Sequence, residues 1–174
     1  MPITYLIVAH LLADFTFQPK RLLKLKYASA FGTLIHVSIF ALIAVILLLP
    51  YLEFWETWTV ILGVSVVHFV TDVMKIRLTR NSKAYVLPFL LDQMIHLLSI
   101  VVGGLILRDL DVTFIEGSLY LNTFVWIGVL AAIYILFVID ILYVQKHESA
   151  KLIKSKLVAF SVGFLLYLAA AILI

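Results

Sequence analysis

The chain has no cysteine among its 174 residues, which excludes disulfides, thiolate nucleophiles and cysteine metal sites. Charge is scarce too. Only 13% of residues are Asp, Glu, Lys or Arg, against 64% hydrophobic, and the mean hydropathy is +1.16. A soluble domain of this length has no use for so much apolar surface, so the composition describes an integral membrane protein in contact with the bilayer. No cleavable leader is expected. The first positive charge, Lys20, follows the first apolar run, and that run already carries His10 and Asp14.

What is present is a set of long apolar runs. Six spanning helices of roughly 20 residues fit the length. The runs place them near 3–18, 29–52, 56–76, 85–107, 118–143 and 155–174, in a single all-α transmembrane domain covering 1–174. The first is the shortest and the most polar. Basic residues gather in alternate connections: Lys20, Arg21, Lys24 and Lys26 in the first, Lys75, Arg77, Arg80 and Lys83 in or beside the third, and Lys146, Lys151, Lys154 and Lys156 in the fifth. The second and fourth carry Glu53, Glu56, Asp109, Asp111 and Glu116. By the positive-inside rule the odd connections are cytoplasmic and both termini lie outside. This topology accounts for the pI near 9.1, so no nucleic-acid partner is implied. Trp55, Trp58 and Trp126 fall near the outer helix ends and read as interface anchors.

Three pairs of ionisable residues interrupt the apolar runs: His10 and Asp14, His68 and Asp72, and Asp92 and His96. The four-residue spacing puts each pair on one helix face. The third pair is written in reverse order, and its helix is expected to run the opposite way. Counting about 1.5 Å of rise per residue from the basic connections puts the aspartates about 6–9 Å inside the cytoplasmic edge. The same count puts His10, His36, His68 and His96 at about 12–15 Å. Two polar layers result, both in the cytoplasmic half.

The segment "AHLLADFTFQPKRLLK" aligns with "VHFVTDVMKIRLTRNS" 58 residues later, and the next helix supplies His36 in one copy and His96 in the other. A weaker third copy matches "HFVTDVMKI" to "LFVIDILYV", keeping Asp140 and replacing the histidine with Leu136. The expected architecture is three parallel helical hairpins, the third degenerate, with a site at the repeat interface.

Four imidazoles and three carboxylates suit a divalent metal, zinc first, with manganese or iron as alternatives. His10, Asp14, His36, His68, Asp72, Asp92 and His96 are the candidate ligands. Seven exceed one tetrahedral shell, so either two ions bind or some aspartates orient histidines from behind. A metal would also offset the cost of burying carboxylates that lack enough cationic partners. The plainer reading is a hydrogen-bonded packing network, with Asp72 in an ion pair with Lys75. Gln18 and Gln93 extend the polar faces as supporting groups. His147 lies among loop charges and is given no role.

At these motifs the chain resembles a bacterial inner-membrane family known as domain of unknown function 3307. The matching stretches are "AHLLADFTFQ" (9–18), "LIH" (34–36), "HFVTDVMK" (68–75) and "FLLDQMIH" (89–96), which cover the first four helices. The resemblance implies a bacterial cytoplasmic-membrane protein and supplies no mechanism. HExxH, GxSG, the paired-glutamate prenyl-protease motif and the repeated-aspartate alcohol-phosphotransferase motif are all missing.

The leading expectation is a metal-dependent intramembrane hydrolase acting on a lipid or other membrane-embedded substrate. A bound ion would acidify water, Asp14 or Asp92 would act as general base, and Lys75 at the rim would hold an anionic part of the substrate. A cation- or proton-coupled transporter, or a small substrate-binding transporter subunit, is the first alternative. Against it, the outer half of the sequence offers no polar path. A structural or regulatory membrane partner is the second.

Overall fold

The computed structural model describes residues 2–80 and 86–110, together with 135, 153–154, 157–158, 161–162, 164–167 and 169. Helix α1 spans Pro2–Leu11 and continues directly into a π-helical turn, Leu12–Thr16. Helix α2 spans Lys20–Ala28, α3 Ala30–Leu47, α4 Trp55–Arg80 and α5 Val86–Arg108. Every described element is helical. That is what lipid demands, because a helix satisfies its backbone groups within its own segment. Helices α3, α4 and α5 are long and apolar enough to cross a membrane, whereas Pro2–Thr16 is shorter. The expected spans 3–18, 29–52, 56–76 and 85–107 thus each correspond to a helix. The span 118–143, most of 155–174, Trp126, Asp140, His147 and the third repeat lie outside the described residues.

Local chemistry sets the boundaries. Ser29 caps α3 by accepting from the Gly32 amide at 3.1 Å, the usual service of a serine at a helix N-terminus. A short 3-10 turn, Leu49–Tyr51, follows α3, and the Thr57 hydroxyl and the Trp58 indole tie it to α4 by donating to Tyr51 O and Leu52 O. Trp55 and Trp58 are exposed at that end, as membrane-interface anchors should be. Ser38, Ser65 and Thr71 donate to carbonyls four residues back on their own helices, which satisfies hydroxyls that lipid cannot.

The four long segments close a ring: α1 packs on α3 and α5, and α4 packs on the same two. Helix α1 is its inner member, buried along all of Pro2–Leu11, and Tyr167 and Phe164 join the core around it. Gly104 makes the close α1–α5 approach possible, and Gly103 the approach of α4 to α5. A Cβ on Gly104 would lie 2.9 Å from the Ile3 Cα, and one on Gly103 would lie 2.7 Å from a Val60 methyl. Glycine at such points lets helix backbones approach closely in lipid, where van der Waals contact replaces the hydrophobic effect as the driving force.

One expectation is corrected here. Residues 20–26 were read as a basic connection; they form α2, a nine-residue helix that starts after Pro19 and turns into α3 at Ser29. Gly32 permits the tight return, since a Cβ there would clash with the backbone at Leu25 and Lys26. Helix α2 buries Leu22 and Lys26, while Leu23, Leu25 and Tyr27 are exposed.

Candidate metal centre

The seven ligand candidates come together between α1, α3, α4 and α5. Asp14 sits inside the π turn, whose Phe17 amide bonds to Leu12 O at 2.8 Å, five residues back. The wider turn changes the direction of the Asp14 side chain relative to a regular helix. π turns inside helices recur at functional sites, and this one delivers a carboxylate. Asp14 Oδ1 lies 3.0 Å from His36 Nε2 and 3.2 Å from His68 Nε2. The two imidazole nitrogens are 3.2 Å apart. Asp72 Oδ2 is 3.6 Å from His36 Nε2 and 3.4 Å from His68 Nε2.

These four atoms, from α3, α4 and the π turn, are joined by five separations of 3.0–3.6 Å, and the ligand atoms of His36, His68 and Asp72 all lie within 4.8 Å of one another. A zinc ion bound at about 2.0–2.1 Å by four tetrahedral ligands holds them about 3.3–3.4 Å apart. Hydrogen bonding alone accounts poorly for this convergence. Each Nε2 offers one N–H or one lone pair in the ring plane and cannot serve three neighbours at once. The donor set therefore fits a divalent cation. Two further overlapping groups have ligand atoms within 4.8 Å of one another: His10, Asp14, His68 and His96; and Asp72, Asp92 and His96.

Behind the cage, the Gln18 side-chain amide contacts His36 Nδ1 at 3.1 Å. Turned so that its oxygen accepts Nδ1–H, the same amide fixes the tautomer with a bare Nε2, the form a metal requires. Gln93 Nε2 donates to Asp92 Oδ2 at 3.1 Å, and the Tyr167 hydroxyl donates to Gln93 O at 3.3 Å. Both glutamines therefore take the supporting place expected of them.

Two lysines alter the electrostatics. Lys75, expected at the rim either paired with Asp72 or holding substrate, has its Nζ 2.5 Å from Asp92 Oδ2 and 3.3 Å from Asp72 Oδ1, bridging the two carboxylates. Lys26 was treated only as a topology marker, yet its side chain is 3% exposed and its Nζ lies 2.6 Å from Asp72 Oδ2. The premise that these carboxylates lack cationic partners is therefore corrected for Asp72 and Asp92. Three carboxylates against two ammoniums leave the cluster one unit negative when the histidines are neutral. The signal for Lys26 was present in the sequence: Leu22 and Lys26 share a face of the segment between Pro19 and Ser29.

No polar group of comparable density occurs in the other half of the described bundle, where Ile3, Leu6, Val60, Val64 and Leu107 form a dry core. Among the described residues, Asp14 and Lys75 are the cluster members with partly accessible side chains.

No curated protein and no solved structure matches the chain. The family model described as a protein of unknown function (DUF3307) matches residues 3–115, a span that holds all seven ligand candidates and both lysines, and the chain belongs to that family.

Proposed function

We propose that this chain is a metal-dependent intramembrane hydrolase of the bacterial cytoplasmic membrane, acting on a lipid or membrane-embedded substrate from the cytoplasmic side. The observation that carries the reading is the convergence of Asp14 Oδ1, His36 Nε2, His68 Nε2 and Asp72 Oδ2, whose five separations of 3.0–3.6 Å bracket the ligand spacing around a zinc ion. A divalent ion there lowers the pKa of a bound water and polarises a phosphoryl or acyl oxygen. Asp14 then serves as a ligand, and Asp92 becomes the better general base. Its Oδ2 is anchored by Lys75 and Gln93, while its Oδ1 makes no hydrogen bond. Lys75 orients that base in preference to holding the substrate.

In this reading the chain crosses the membrane six times with both termini outside, as three parallel hairpins. The ring of α1, α3, α4 and α5 is what two such hairpins give, with His10 equivalent to His68, Asp14 to Asp72, and His36 to His96. The copies have diverged, since the π turn and the full burial belong to α1.

A second reading, an ion-paired packing network, draws on the Lys26–Asp72 pair, which stabilises the carboxylate without metal. A transporter fits less well, because the apolar core across the far half supplies no polar path. Elemental analysis of purified protein separates these readings. Zinc or another divalent metal is expected in the wild type and lost in His68→Ala and Asp72→Asn. A metal-free wild type whose stability does not respond to added zinc would end the hydrolase reading.

A further inference from the structure

His10 and His96 take no part in the four-atom cage, yet they are among the most deeply buried side chains, each 1% exposed. The His10 ring stands 4.8 Å from that of His96, 5.0 Å from that of His68 and 5.3 Å from that of Tyr167, centroid to centroid. Among the described residues, neither His10 nitrogen has a partner in good hydrogen-bond geometry; the Gln93 side-chain amide is the polar group beside it, and its oxygen is likewise buried without a well-aligned donor. A buried polar group left unpaired costs about 1–3 kcal/mol, so a dry histidine with two idle nitrogens is an expensive packing residue.

His96 is prepared for the same partner. Its Nε2 lies 2.6 Å from Thr71 Oγ1, and that hydroxyl is also 2.9 Å from Val67 O. With the hydroxyl proton given to Val67 O, Thr71 accepts from His96 Nε2–H. The His96 Nδ1 then keeps a bare lone pair, and it too is buried without a hydrogen bond. Asp14 completes the set. Its Oδ1 faces the cage, while its Oδ2 lies 3.8 Å from His10 Nε2.

We propose that His10, His96 and Asp14 Oδ2 form a second divalent-metal site, with the Asp14 carboxylate bridging the two ions. This rests on the first ion occupying the cage. Three protein ligands leave an open coordination position, the usual mark of a catalytic metal. Two ions sharing a carboxylate lie about 3.5–4 Å apart, the separation at which a pair clamps the attacking and leaving oxygens of one displacement. The charge balance names the remaining ligand class. Three carboxylates and two ammoniums with two divalent ions leave three positive units. A bridging hydroxide at rest offsets one of them, and an anionic oxygen of the substrate during turnover offsets a second.

The test is metal stoichiometry and manganese spectroscopy on the full-length, detergent-solubilised protein. Wild type saturated with zinc should carry two ions per chain, His10→Ala and His96→Ala one each. Loaded with manganese, wild type should give the paramagnetic resonance spectrum of an exchange-coupled pair, and His10→Ala the six-line spectrum of an isolated ion. A wild type that binds one zinc, with an uncoupled manganese spectrum, overturns the second site and leaves the cage standing. A wild type that binds none overturns both. The wild-type measurements need no variant to fold.

Discussion

The two ends of α1 illustrate two ways of holding helices together in a bilayer. Around Ile3 and Leu6 the helix meets α4 and α5 through glycine and branched aliphatic side chains, and contact depends on shape. Around His10 and Asp14 it meets the same neighbours, and α3, through imidazoles and a carboxylate. In lipid the first kind of contact costs little to build and is sensitive to one added methyl. The second is expensive and is retained where charges pair or a cation is held. Confining the expensive groups to one half is the signature of a one-sided site, since a conduit needs polarity throughout its length.

The comparison breaks most visibly at Lys26. Lys26→Met removes the ammonium from Asp72 and leaves a buried carboxylate short of a partner, a change that costs about 3–5 kcal/mol in buried pairs. Thermal unfolding of the metal-free variant should fall accordingly. If a cation belongs beside Asp72, zinc should restore more stability to the variant than it adds to wild type, by mass action on the folded state. Equal zinc responses in the two proteins would favour the packing network.

In the apolar half, Gly104→Ala should destabilise by about 1–3 kcal/mol, because overpacking at a close backbone approach forces α1 and α5 apart. Metal content per folded molecule should stay at the wild-type value. A Gly104→Ala protein that folds normally but loses metal would show that the two halves are not separable.

The smallest effect is expected behind the cage. Gln18→Ala leaves all seven ligand candidates in place and removes only the amide that orients His36. A zinc titration should show affinity weakened about 10–100-fold, the range for loss of a group that orients a metal ligand. An unchanged titration would separate Gln18 from the site.

Much of this molecule was legible in the sequence for a specific reason. Apolar runs reveal helices because a backbone away from water has no other solution; three expected spans found helices long enough to cross a membrane, and the first found a shorter one. His/Asp pairs at four-residue spacing revealed shared faces, and the reversed order of Asp92 and His96 anticipated the antiparallel course of α5. The failures share a cause. Helix α2 and the burial of Lys26 were hidden because a positive charge between two apolar runs reads as topology. That reading is statistical and says nothing of where one ammonium points. The Lys75–Asp72 pair is visible at three-residue spacing, whereas Asp92 reaches Lys75 from another helix and leaves no local signal. The π turn at Asp14 carries no composition signal.

The sequence by itself determined the helical class, the family and the polar groups that share helix faces, because periodicity and hydropathy act along one chain. The tertiary structure decided which atoms meet. It gave Asp14 two faces, enclosed His36 and His68 between two carboxylates, and assigned Lys26 and Lys75 to specific oxygens. Those facts depend on helix rotation and crossing, set by glycine contacts and one widened turn, and helices far apart in the chain settle them only by packing.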